Sequence, residues 1–193
     1  MDEELDTATI KLMCELQRDG RKSFVELAKS LGVSSHSTAK NKLTTLEERG
    51  LFRVRGETNA KKMNLKIILL FLSTFSEEDH NKVLESYQKC PRVIRAGSTI
   101  GEFDNFVIAY IAKKNPIESI IHGQCFKDEG IRIRNRMVLM LGDDMSPEFF
   151  PILFPVVTDS IKAPCDATCY DCKHLLNQSC EGCPALADPY KTE

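Results

Sequence analysis

The chain has 193 residues and a formal net charge of −2 at pH 7, with 42% hydrophobic and 28% charged residues. This composition is that of a folded protein with one to three small domains, which excludes a wholly disordered chain. The longest apolar run, Ile67–Leu72, is far shorter than the roughly 18 residues of a membrane helix, and the acidic N-terminus does not resemble a signal peptide. We therefore expect a cytoplasmic protein with no membrane partner.

Charge is distributed unevenly along the chain. Residues 21–62 contain 10 Lys and Arg against 4 Asp and Glu, whereas residues 143–193 contain 3 against 9. A basic segment attracts phosphate groups, and an acidic one repels them. The sequence therefore favours nucleic-acid contact by the N-terminal part and a different task for the C-terminal part.

Three short helices are predicted within the first fifty residues. The first begins after Asp6, the second at a capping box on Ser23, and the third after Ser35. Gly32 stands where a left-handed residue ends a helix, so a tight turn joins the last two helices. This pattern is typical of a helix-turn-helix unit, and residues 50–55 after it read as a short strand or wing.

The helix after the turn offers a polar face that could read DNA. In helix-turn-helix proteins this helix enters the major groove, and nearby basic residues contact phosphates. The alternative is a small helical bundle whose charged face meets only water. The candidate DNA-binding residues are Arg21, Lys22, Ser35, His36, Ser37, Lys40, Asn41, Lys42, Thr44, Arg53 and Arg55.

The middle of the chain alternates strands and helices in the order βαββαβ, which predicts a ferredoxin-like domain. Such a sheet carries helices on one face only, so pairing of two subunits through the open face would bury it. Arg132, Arg134 and Arg136 form a basic row that most simply faces solvent or a partner subunit. The predicted strands cover residues 64–74, 93–100, 103–112 and 131–141, and the helices run from Ser76 to about Cys90 and onward from Asn115.

Five of the eight cysteines lie close together near the C-terminus, in the spacing Cys-x3-Cys-x2-Cys-x7-Cys-x2-Cys. In a reduced compartment such a cluster indicates a metal site rather than disulfides. Two Cys-x-x-Cys hooks can place four thiolates around one ion, which favours tetrahedral Zn²⁺. The candidate zinc ligands are Cys169, Cys172, Cys180 and Cys183, with Cys165 as an exchangeable fifth thiol and His174 as a substitute ligand.

Two other roles of the cysteines remain open. A [4Fe-4S] cluster also takes four cysteines, and a proline after the last of them, as at Pro184, recurs in ferredoxins. Alternatively, the thiols form a redox switch by oxidising to disulfides. The three scattered cysteines, Cys14, Cys90 and Cys125, are expected to be small buried hydrophobic residues.

Two stretches of sequence carry a family resemblance. The first stretch comprises residues 5–34 and the following Ser35, Thr38, Leu43, Leu46 and Gly50. The second stretch comprises the runs Cys90–Val93 and Gly101–Asp104. In both stretches the chain resembles the Lrp/AsnC transcriptional regulators. The resemblance implies a DNA-binding dimer or higher even oligomer and a small-molecule effector bound near Gly101 and Asp104. The cysteine-rich extension is a departure from ordinary members, as is one extra residue in the helix-turn-helix turn.

The sequence thus predicts an α+β protein with five segments. These are a winged helix-turn-helix at 1–55, a hinge at 56–63, a ferredoxin-like dimerisation and effector domain at 64–142, a proline-rich connection at 143–164 and a metal-binding module at 165–193. The predicted function is transcriptional regulation of metal- or redox-responsive type, without enzymatic activity.

Two further functions are weighed against this prediction. Siroheme decarboxylases share the architecture, but the strand at 93–98 lacks the expected histidine-tyrosine-x-arginine run, and His80 and His122 are isolated. The other is a metal-carrying protein that does not bind DNA. Salt-dependent binding to DNA would separate a regulator from both.

Overall fold

The computed structural model describes residues 5–112, 130–142, 144, 146, 148–178 and 180–192. The chain divides into two compact units, Met1–Gly56 and Glu57–Glu193. Within the described ranges no helix is long and apolar enough to cross a membrane. The helix predicted from Asn115, together with His122 and Cys125, lies outside the described residues.

The first unit consists of three helices around a small apolar core. Leu12, Leu27 and Ala39 are fully buried in it, one from each helix, and the spacing of apolar residues along each helix accounts for this arrangement. The described helices are α1 (Thr7–Arg18), α2 (Phe24–Leu31) and α3 (His36–Glu48).

Side-chain caps fix where these helices begin, as the sequence predicts. The Asp6 carboxylate accepts the Thr9 N–H at 2.7 Å, and Ser23 forms a capping box with Glu26. Gly32 ends α2 with a φ of 69°, in the left-handed region, and thereby makes the tight turn toward α3.

The expected strand or wing at residues 50–55 does not form a β ladder. Residues 52–57 belong to none of the described helices or strands. Phe52 and Val54 instead pack, partly buried, against the helical core. Apolar side chains on alternate positions therefore hold this segment in place without a pairing strand.

The second unit is built on a four-stranded antiparallel sheet in the order β3-β4-β2-β5, the ferredoxin-like arrangement. The predicted strands are present, with ends shifted by a few residues. The elements are β1 (Thr58–Asn59), β2 (Lys66–Thr74), α4 (Glu77–Lys89), β3 (Val93–Ser98), β4 (Asn105–Ile111), β5 (Ile133–Met140), β6 (Phe149–Phe150) and α5 (Lys173–Leu176).

The sheet buries one face beneath α4. Ile68, Leu70 and Leu72 of β2 meet Val83 and Tyr87 of α4, and all five are at most 2% exposed. Because side chains alternate along a strand, the intervening residues of β2 point to the other face. The ferredoxin-like core is thus formed by a single helix layer in the described residues.

The segment expected to be a hinge is largely structured. Thr58 and Asn59 pair as β1 with β6, and Ala60, only 2% exposed, donates its N–H to the Glu148 carbonyl at 3.1 Å. The Glu148 carboxylate also accepts the Asn59 amide at 2.9 Å. Residues from the connection after the sheet therefore close over the segment before it.

The C-terminal tail, residues 158–192, has little regular structure. Its small apolar core contains Ala163, Leu175, Ala185 and Leu186, and its longest regular element is the one-turn α5. Isolated bridges join Thr158 to Leu186 and Lys162 to Thr168. So small a core contributes little burial energy, which is typical of segments that need a metal or another link.

Candidate DNA interface and cysteine cavity

The polar face of α3 is exposed as predicted. Ser35 caps the helix by accepting the Ser37 N–H at 3.1 Å, and Ala39 and Leu46 anchor the opposite face in the core. The residues on the outer face share helical spacing and are solvent-accessible at the surface of the first unit. They are His36, Ser37, Lys40, Asn41 and Thr44.

Two predicted phosphate-binding lysines already have partners inside this unit. Lys42 Nζ lies 2.7 Å from the Asp6 carboxylate and 3.1 Å from Thr9 Oγ1. Lys22 Nζ contacts the Glu15 carboxylate. The lysine in each pair holds the pKa of its partner carboxyl below the ordinary value. These two ion pairs connect helices and loops of the first unit. A structural role therefore accounts for the presence of both lysines.

The other three basic residues predicted to contact phosphates are more accessible to DNA. Arg21 is exposed and lies 3.7 Å from Asp19. Arg53 and Arg55 are exposed on the segment after α3. Guanidinium groups at such positions suit phosphate contacts that flank a recognition helix.

The predicted effector residues lie on the loop between β3 and β4. The Asp104 carboxylate accepts the Thr74 N–H at 2.9 Å, the Thr74 hydroxyl at 2.7 Å and the Asn105 amide at 2.6 Å. Burial opposes its charged form, but these hydrogen bonds and nearby His80 outweigh burial and lower the pKa of Asp104. Gly101 is exposed in the turn. Asp104 thus joins the end of β2 to the start of β4, and its effector role stays a prediction.

All five tail cysteines line a single cavity of about 90 Å³. Cys169 and Cys172 of the first predicted hook and Cys180 and Cys183 of the second line it together. His174 also lines the cavity, and its Nε2 atom is buried. Every residue that the sequence proposed for the metal site therefore lines the same cavity.

A backbone N–H group points at one of these sulfurs, since the Gly182 N–H donates to Cys180 Sγ at 3.3 Å. Burial is the main reason that the pKa values of Cys169 and Cys183 rise to about 11. Without a cation these thiols are therefore neutral, and a bound metal would displace their protons.

The donor set fits a thiolate-bound metal, although the sulfurs do not meet at one point. Among the described residues no three His, Cys, Asp or Glu side chains are close enough to hold one ion. The side chains that line the cavity are nevertheless of the type that binds metal as thiolates, and the N–H to Cys180 Sγ is of the kind found at such sulfurs. To bind a single metal ion, the cysteine side chains would have to move toward one another. A cluster of several metal atoms would require less movement of the same side chains.

The structure contradicts the expectation for one scattered cysteine, Cys14, and places another, Cys90, at the cavity. Cys14 is exposed on α1 rather than buried, because it falls outside the apolar stripe of that helix. Cys90 lines the cavity beside the tail cysteines, as does Arg92, which is only 7% exposed. Neither residue carries a local sequence signal for this location, since tertiary packing alone brings the α4–β3 turn to the tail.

Comparisons with known proteins agree with the two-part architecture. Residues 5–53 match the family model described as winged helix-turn-helix DNA-binding. A curated relative, the HTH-type transcriptional regulator Ptr1 of Methanocaldococcus jannaschii, is 24% identical over 108 residues, covering 55% of this chain and 72% of that protein.

Several solved structures of Lrp/AsnC proteins share the fold. The Neisseria meningitidis transcriptional regulator NMB0573, solved with L-Met, has a TM-score of 0.64 at 20% identity, covering 78% of this chain and 96% of that one. The Mycobacterium tuberculosis leucine response regulatory protein LrpA has a TM-score of 0.62 at 17% identity, covering 77% and 100%. Escherichia coli AsnC has a TM-score of 0.58 at 20% identity, covering 75% and 95%. The chain thus has the winged helix-turn-helix and α+β fold of the Lrp/AsnC regulators.

Proposed function

We propose that this protein is a DNA-binding transcriptional regulator of Lrp/AsnC type, with a metal centre in its C-terminal tail. The exposed polar face of α3 is the observation that carries the proposal. It lies on the helix after the tight turn, where helix-turn-helix proteins contact base edges. The relative described as a transcriptional regulator supports the same role.

Binding to duplex DNA tests this function directly. We expect the full-length protein to bind DNA from upstream of its own gene more tightly than a scrambled duplex, with affinity that falls as salt increases. Lys40→Ala should weaken binding and reduce the salt slope by about one unit if the lysine contacts a phosphate. His36→Ala or Asn41→Ala should instead relax sequence preference.

Lys11→Ala is the charge-matched control, because Lys11 is exposed on α1 and outside the candidate face. This variant should bind as the wild type does. If Lys40→Ala and His36→Ala were indistinguishable from it in affinity and preference, α3 would not be the recognition helix. Fluorescence anisotropy over a range of salt concentrations measures all of these quantities.

The proposal includes pairing of two subunits through the open face of the sheet. Leu69 and Phe71 point to this face, opposite Leu139 and Met137 of β5. Leu139 is 44% exposed and Met137 is 38% exposed, so the sheet presents apolar side chains that a second copy would bury. We expect Leu139→Asp to convert a dimer to a monomer in light-scattering measurements, and an unchanged mass would exclude this interface.

The metal centre is proposed first as Zn²⁺ bound by the tail cysteines. A specific observation favours the second candidate, a [4Fe-4S] cluster. The cavity measures about 90 Å³, whereas one water needs only roughly 10–15 Å³ by the same measure. A multi-atom centre would fill such a space better than one ion, and it would accept sulfurs that do not converge on a single point.

Metal analysis and a visible spectrum of protein purified without oxygen distinguish these candidates. Stoichiometric zinc in a colourless protein would establish the first candidate. A brown protein with broad visible absorption, containing iron and sulfide, would establish the second. Protein that contains neither, and that takes up neither on reconstitution, would contradict the metal-binding part of the proposal.

A small-molecule effector at the Gly101–Asp104 loop remains part of the proposed function. The support is the shared fold with the N. meningitidis regulator that was solved with L-Met. Titration of amino acids, followed by calorimetry, tests it. No heat from any of them would remove amino acids as effectors of this chain.

A further inference from the structure

Cys90 lies at the end of α4, far from the tail in sequence but at the same cavity. It is the residue that follows α4, and it lines the cavity together with the five tail cysteines. Six cysteines therefore share this cavity, one of them supplied by the sheet domain.

The environment of the Cys90 sulfur resembles that of the tail sulfurs. Cys90 is half-buried, as are Cys165, Cys169, Cys172 and Cys183. A half-buried thiol in the wall of a cavity is accessible to a metal inside it, whereas a cysteine that only packs in a core would be fully buried.

A buried cation beside Cys90 indicates that the cavity is suited to negative charge. Arg92 is 93% buried, since only 7% of it is exposed, and its guanidinium donates to the Gly182 carbonyl. A charge this deeply buried is costly unless an anion is close. Four thiolates around Zn²⁺, or around a cluster, carry the net negative charge that would compensate it.

We propose that Cys90 is a ligand of the metal centre, so that the metal joins the tail to the ferredoxin-like domain. This inference rests on the proposed metal centre in the tail and adds a ligand from outside it. The bound metal would then stabilise the α4–β3 turn as well as the tail. Because β3 begins at Val93, gain or loss of the metal would act directly on an edge strand of the sheet.

Cobalt binding tests this ligand assignment in the full-length, reduced and metal-free protein. Co²⁺ bound to thiolates shows sulfur-to-metal charge-transfer bands whose intensity follows the number of thiolate ligands. Four variants are compared: wild type, Cys90→Ser, Cys169→Ser and Cys14→Ser. Cys14 is the matched control, because it is an exposed cysteine in the other compact unit.

We expect Cys14→Ser to behave as the wild type. Cys90→Ser should lose part of the charge-transfer intensity, as the loss of one thiolate ligand, and its Co²⁺ affinity should fall at least tenfold in chelator competition. Cys169→Ser should lose binding to at least the same degree. Cys90→Ser that matches Cys14→Ser in both quantities, while Cys169→Ser loses binding, would overturn the Cys90 proposal and leave the tail site intact.

A wild type that binds no Co²⁺, Zn²⁺ or iron would overturn both this inference and the proposed metal centre. A second measurement covers the case in which Cys90→Ser does not fold. In wild-type protein, metal should protect the α4–β3 turn, residues 89–93, as well as the tail from hydrogen exchange. Protection confined to residues 158–192 would show that the metal does not join the two parts.

Discussion

The ammonium group of Lys42 on α3 lies 2.7 Å from the carboxylate of Asp6, the residue that caps α1. The two residues are 36 positions apart in the chain, so the pair joins the start of the first helix to the middle of the third. Lys42 is therefore a positioning residue for the recognition helix in this structure, in addition to its predicted part in phosphate binding.

This pair makes the stability of the first unit depend on pH. The hydrogen bond from Lys42 is the main reason that the pKa of Asp6 lies far below its ordinary value of 3.8. A carboxyl whose pKa is lower in the folded state stabilises the fold above its unfolded pKa, and this contribution is lost as the pH falls below that value. We expect the melting temperature to decrease on acidification below about pH 4.

Asp6→Asn tests this expectation because asparagine keeps the helix cap but removes the charge. The variant should melt earlier than the wild type at neutral pH, and the difference should shrink as the pH approaches 3. Glu47→Gln, an exposed charge change on α3, should show no such convergence. A constant difference between Asp6→Asn and the wild type across this range would show that the ion pair does not contribute.

The features that the sequence predicted well, the helix caps and the alternation of β2, depend on residues close together in the chain. Asp6, Ser23 and Ser35 are caps because a side-chain oxygen needs only the next few residues as partners. The alternation of apolar residues in β2 likewise predicts a strand with one buried face. These features depend on near neighbours, so a single sequence contains the necessary information.

Contacts between distant residues could not be predicted in this way. The Arg92 guanidinium contacts the Gly182 carbonyl across 90 positions, and no local pattern marks either residue as a partner. Cys90 was placed with the buried hydrophobic residues for the same reason. Similarly, the polar composition of residues 56–63 indicated a hinge, but pairing of Thr58 and Asn59 with β6 overrides local preference.

Asp104 offers a test of a structural role against a ligand-binding one. Because its carboxylate accepts three hydrogen bonds from Thr74 and Asn105, Asp104→Ala should lower the melting temperature of the protein with no small molecule present. Glu102→Ala, in the same loop and exposed, should leave it unchanged. An Asp104→Ala protein as stable as the wild type, with altered amino-acid binding, would favour the effector role instead.

Gly182 is a steric requirement of the tail. Its φ is 83°, and a Cβ atom at this position would overlap the Pro189 ring, lying 2.9 Å from Cγ. Gly182→Ala should therefore destabilise the tail by roughly 2 kcal/mol, from backbone strain and overpacking together. Gly142→Ala is the matched control, since nothing lies within 4 Å of the added atom. Limited proteolysis should cleave the tail of Gly182→Ala faster, and equal rates in both variants would contradict this packing.

Removal of the metal should loosen the tail far more than the sheet. The tail relies on a few small buried residues, such as Ala163 and Ala185, whereas the sheet buries Ile68, Leu70 and Val107 completely. Metal binding would therefore supply much of the folding energy of the tail but little of that of the sheet core. Hydrogen exchange before and after treatment with a strong chelator should show loss of protection in residues 158–192 and retained protection in β2 and β4. Unchanged exchange in the tail would mean that its fold does not depend on a metal.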